Sequence, residues 1–126
     1  MDKILHKKKL VGIRIRSLKE GSLPVVDGDE PLQVLTLKHK KGYQVKAHYH
    51  KPTTRTTASL QECLVVLKGK VRIDLYGSEK KVVKRLFLKQ GETFIFVSGG
   101  HGVHFLEDTE IIEIKNGPFS PDRLPI

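Results

Sequence analysis

Six stretches of this chain are dense in β-branched and aromatic residues, and several of them alternate apolar with polar positions: Leu32–Lys38, Leu64–Leu67, Val71–Tyr76, Val82–Leu88, Thr93–Val97 and Glu110–Lys115. A period of two marks a strand with one face buried, and branched side chains fit a pleated surface. Turn-forming residues separate them, at Lys68-Gly69-Lys70, Tyr76-Gly77-Ser78, Lys89-Gln90-Gly91-Glu92 and Ser98-Gly99-Gly100. No stretch sustains a helical period. Short strands punctuated by turns predict an all-β, antiparallel sandwich or barrel. Leu10–Arg16 alternates in the manner of an edge strand, and residues 23–31 read as a turn-rich connection. The proline-rich stretch 116–126 cannot form a central strand and is expected to lie along the surface. The pattern therefore predicts one domain over residues 1–126: a core of about 32–115, an N-terminal strand and connection over 1–31, and a tail over 116–126.

Composition narrows the class. A chain of 126 residues with 38% hydrophobic and 29% charged positions has the make-up of a soluble globular domain. No apolar run approaches the roughly 20 residues that span a bilayer, so no membrane partner is expected. The stretch Met1–Lys9 lacks the apolar core of a secretory signal, which leads us to expect a cytoplasmic protein. The single cysteine, Cys63, has no partner for an intramolecular disulfide, in keeping with a reducing compartment.

A net charge of +9 raises the question of nucleic acid. The cations are dispersed along the chain, however, and no helix-turn-helix, zinc finger or aromatic RNA-binding strand organises them. Nucleic acid is therefore not the expected partner; an anionic small molecule suits the same charge.

The candidate chemistry lies in His48-Tyr49-His50, followed twelve positions later by Glu62. In an extended strand over 43–50, alternate side chains share a face, which sets His48 and His50 about 7 Å apart along the backbone. Two imidazoles and a carboxylate on one open face suit a divalent transition metal, and His101 in Ser98-Gly-Gly-His101 offers a further imidazole. If 60–67 is a strand, Glu62 shares a face with Leu64 and Val66, where a carboxylate without a cation is costly. Cys63 then points the other way and is assigned to packing. On the face of the histidines, Gln44 and Lys46 are candidate substrate-binding residues.

These residues resemble the first motif of the cupins: glycine, five residues, His-x-His, a spacer, glutamate, six residues, glycine. Here Gly42, His48, His50, Glu62 and Gly69 supply it. The second motif, a glycine followed by a third histidine, is matched more loosely by Gly91 and Gly99-Gly100-His101. The resemblance spans about residues 32–115. Two departures stand out. Eleven residues, 51–61, separate His50 from Glu62 where the family pattern has three or four. Such an insertion would sit at the mouth of the site, where Arg55 could meet an anionic substrate. The proline and glycine before the third histidine are replaced by Val97-Ser98, so His101 and His104 compete for that place. Three residues apart, they face opposite ways in an extended segment. Gly100 and Gly102 flank His101 and let the backbone bend, which favours His101, with His104 in the wall.

The resemblance implies a double-stranded β-helix, or cupin jelly roll, with frequent homodimerisation. It also implies one divalent transition metal, whether Fe, Mn, Ni, Co, Cu or Zn, held by His48, His50, Glu62 and His101. The expected function is that of a metal-dependent enzyme acting on a small polar, anionic or sugar-derived metabolite, as an isomerase, dioxygenase or decarboxylase. The alternative is a non-catalytic cupin that binds a sugar or other small molecule, with a structural metal or none.

Overall fold

The computed structural model describes residues 1–126 and contains ten strands and no helix. They are β1 (Asp2–His6), β2 (Lys9–Ile15), β3 (Gly21–Pro24), β4 (Leu35–Lys38), β5 (Glu62–Lys68), β6 (Lys70–Tyr76), β7 (Val82–Lys89), β8 (Thr93–Phe96), β9 (Gly100–Phe105) and β10 (Glu110–Lys115). Every pairing is antiparallel. A five-stranded sheet runs β1-β2-β8-β5-β10, a three-stranded sheet runs β7-β6-β9, and β3 pairs with β4 alone. The sheets do not close into a barrel.

The alternation read in the sequence decides which side chains fill the space between the two larger sheets. From β2, β5 and β8 come Val11, Leu64, Val66, Phe94 and Phe96; from β6 and β7 come Val71, Ile73, Leu75, Leu86 and Leu88, all buried in one cluster. Burying a Leu or Phe side chain contributes about 1.5–3 kcal/mol, so this cluster is the main source of cohesion. A second cluster covers the opposite face of the five-stranded sheet. There Ile13, Ile15, Cys63 and Ile95 pack against Val25, Val26 and Leu32 from the connection that precedes β4.

Two sequence expectations change. The strand at 10–16 was expected at an edge, yet β2 lies inside its sheet, between β1 and β8. Its burial on both faces explains this: Val11 enters one cluster, Ile13 and Ile15 the other. The core therefore begins well before residue 32. The extended strand expected over 43–50 is also absent, and residues 39–61 form a long excursion between β4 and β5 without sheet pairing, exposed throughout except at Gln61. Alternation in Tyr43–His50 provides a face, but no neighbouring strand takes up its backbone groups.

Candidate functional site

Glu62 opens β5 with its side chain only 12% exposed, on the same face as buried Leu64 and Val66. Cys63 points to the opposite cluster, where burial pushes its thiol up from the ordinary value. His101, on β9 opposite Leu75, comes across to Glu62, with Nε2 2.9 Å from Oε2. Its ring stacks on Phe96 at a centroid distance of 4.0 Å. Lys115, at the end of β10, places Nζ 3.7 Å from the other carboxylate oxygen. The hydrogen bond from His101, aided by the positive charge of Lys115, holds the Glu62 carboxyl below the usual carboxylate range despite its partial burial. A carboxylate and an imidazole from different sheets thus meet at one end of the sandwich.

Beside them lies a cavity of about 660 Å³, lined by Leu60, Glu62 and Lys115 and otherwise by tail residues Asn116–Arg123. The tail was expected on the surface and lies there; its path forms one wall of this cavity. Asn116 fixes where the wall starts. Its Oδ1 accepts from the Gln61 backbone N–H at 2.8 Å, and its Nδ2 donates to Thr57 Oγ1 and to the Ser59 carbonyl. Buried Gln61 extends the network. Its amide nitrogen donates to Glu30 and to the Val97 carbonyl, and its oxygen accepts from the Leu32 N–H at 3.1 Å. Sequence reading missed Gln61 and Asn116; for Gln61 the available signal was a polar side chain set directly before an apolar strand.

The remaining sequence candidates lie elsewhere. His48 and His50 are exposed in the 39–61 excursion, with ring centroids 4.9 Å apart. His48 Nδ1 is 2.7 Å from the Lys46 carbonyl oxygen. A carbonyl only accepts, so in the neutral ring Nδ1 carries the proton and Nε2 keeps its lone pair, the tautomer suited to a metal ligand. The donor chemistry fits a transition metal, but the four side chains are held as two pairs, His48 with His50 and Glu62 with His101. No group of three or more histidine, cysteine, aspartate or glutamate side chains is gathered in one place. Gln44 and Lys46 are exposed in the same excursion. Arg55 donates from Nη1 to the Thr53 carbonyl at 3.2 Å, within the same excursion.

His101 and His104 do face opposite ways. His104 leaves the Glu62 side altogether and binds Asp74 on the outer face of β6, at 3.1 Å. It is therefore not in the wall beside Glu62, as the sequence had suggested.

Compared with known proteins, the chain matches no family model, no curated protein and no solved structure.

Proposed function

We propose that this chain is a metal-dependent cupin enzyme that acts on a small polar metabolite, anionic or derived from a sugar. The observation that carries the reading is the meeting of Glu62 and His101 beside a cavity of about 660 Å³. Two further features support it. β9, which bears His101, is the end strand of its sheet, so one edge is open to a further strand. The His48–His50 segment has no sheet partner, and the excursion that carries it leads directly into Glu62. Docked along β9, residues 43–50 would bring the two imidazole pairs together, and His48, His50, Glu62 and His101 would hold the ion.

A bound divalent metal supplies Lewis acidity toward a carbonyl, carboxylate or enediolate oxygen. The protein's own groups supply the rest. Lys115, paired with Glu113 at 2.8 Å, keeps its ammonium beside Glu62 at the cavity wall, and Phe96 holds the His101 ring in place by stacking. Tail residues Asn116–Arg123 supply most of the cavity lining.

One observation favours a second reading, a non-catalytic cupin that binds a sugar or related metabolite. Both Glu62 carboxylate oxygens already have protein partners, the His101 imidazole at 2.9 Å and the Lys115 ammonium that it shares with Glu113, so the site is satisfied without an ion.

Metal analysis separates the readings. After incubation with Mn, Fe, Co, Ni, Cu or Zn salts and dialysis, the wild-type protein should retain a single ion per chain. His50→Ala and Glu62→Ala should each lose it. Unchanged metal content in both variants would sink the metal assignment. Retention should also weaken below about pH 6, as imidazoles protonate and cease to be ligands. Turnover of sugar-derived carboxylates or phosphates by loaded protein favours the enzyme; tight binding without turnover, indifferent to chelator, favours the binding module.

A further inference from the structure

Asp74 lies midway along β6 on the face turned away from the main core, opposite Arg85 of β7 and Gly102 of β9. Its side chain is 3% exposed, covered by two arginines and a histidine. Arg72 donates from Nε and Nη2 at 2.9 and 3.0 Å, Arg85 Nε lies at 3.3 Å, and His104 Nε2 at 3.1 Å. These four contacts occupy both oxygens of a single anion. The cations are not used up: Arg72 Nη1, both terminal nitrogens of Arg85 and His104 Nδ1 bond no other protein group, and none of the three side chains contacts a second carboxylate. Two guanidinium groups against one carboxylate leave a local charge of +1, or +2 with His104 protonated.

The ground beside this cluster is bare. A Cβ built on Gly102 would meet only Tyr76 Cε2, at 3.9 Å. The surface over Gly102 is therefore open, between Tyr76 and the Asp74 cluster with His104. His101 projects from the opposite face of this sheet toward Glu62 of the other sheet, so the outer patch is separate from the site described above.

We propose that this outer face is a second binding site, for a phosphate monoester, with Arg72, Arg85 and His104 as the oxyanion's ligands and the ester group lying over Gly102 against Tyr76. Asp74 is a positioning residue: held beneath the cations, it fixes their donors before the ligand arrives, which lowers the ordering cost of binding. The free terminal pair of Arg85 and Nη1 of Arg72, with a local excess of positive charge, match a phosphate dianion better than a monoanionic carboxylate. An open patch with the Tyr76 ring as the one apolar neighbour of Gly102 indicates a weak, rapidly exchanging site.

The test is a titration of ¹⁵N-labelled protein with inorganic phosphate and with phenyl phosphate at constant ionic strength, with acetate and chloride as controls. Both phosphates should give saturable shifts at Gly102, His104 and Arg72, and neither control should. Arg85→Gln removes an exposed side chain, keeps the fold, and should weaken both phosphates at least about tenfold, the range of one charge-assisted hydrogen bond. Gly102→Val leaves the charges intact and suits a strand; it should weaken phenyl phosphate more than inorganic phosphate. Shifts that fail to saturate, or that chloride reproduces, would reduce the cluster to a charged surface and overturn the proposal. Wild-type phosphate affinity in Arg85→Gln would overturn it equally, and so would undiminished phenyl phosphate binding in Gly102→Val.

Discussion

Asp74 shows how a single side chain can be legible in its position yet hidden in its role. The alternation Arg72-Ile73-Asp74-Leu75 sets it opposite the core face, where an exposed carboxylate would be the ordinary outcome. Cross-strand neighbours that only folding brings together bury it instead. Hydrogen bonds from Arg72, supported by the charges of Arg72, Arg85 and His104, hold its carboxyl below the ordinary value of 3.8. A depressed folded-state value means that the ionised form is favoured by folding. The resulting stability is present above the unfolded value, and it is lost as pH falls through the folded one. Denaturant titrations of wild-type protein and Asp74→Asn should accordingly show a gap in stability at pH 5–7 that closes as pH drops below about 4. A gap that stays constant down to pH 2 would show that Asp74 contributes through packing rather than charge.

Among the elements, β5 and β6 depend on their junction. Gly69 alone separates them, with φ of +92°, and a Cβ there would come within 2.6 Å of the Asp108 carbonyl oxygen. Gly69→Ala should destabilise the fold by more than about 1 kcal/mol, measured by chemical denaturation, because both the backbone conformation and the space exclude a side chain. Here sequence and structure agree, since the lysine-glycine-lysine turn was visible between two apolar runs. The strands at 64–67, 71–76, 82–88, 93–97 and 110–115 were legible for the same reason. β9 was not, because Gly100-His101-Gly102 lacks the branched side chains of an independent strand, and pairing with β6 makes it one. The 39–61 excursion failed in the opposite sense: its alternation promises a strand, but strandedness needs a partner as well as a pattern. Of the candidate site, Glu62 and His101 were legible through alternation and flanking glycines. The companions Lys115, Phe96 and Asn116 come from elements distant in sequence and leave no local signal, whereas Gln61 stands directly before the apolar strand.

The molecule as a whole leaves one apolar surface uncovered. Leu67 on β5, Ile112 and Ile114 on β10, and Leu35 and Leu37 on β4 are all about half exposed, and Leu35, Leu37 and Ile114 line one apolar cavity of about 380 Å³. β10 is also an end strand, with backbone groups open to pairing. We propose that a second copy of the chain covers this face, a self-complementary edge and apolar patch being suited to a two-fold interface. Sedimentation or light scattering should then give a dimer for wild-type protein and a monomer for Ile112→Lys/Ile114→Lys. A monomeric wild type would leave the face to another partner. At this same scale, the Asn116 side chain acquires a meaning beyond its hydrogen bonds. By holding residues 57–61, it shortens the free part of the 39–61 excursion to about 39–56. Loop-closure entropy varies only logarithmically with length, so the shortening is worth about 0.2 kcal/mol. The clamp therefore hardly changes how readily the excursion closes; it determines the point from which His48 and His50 must reach.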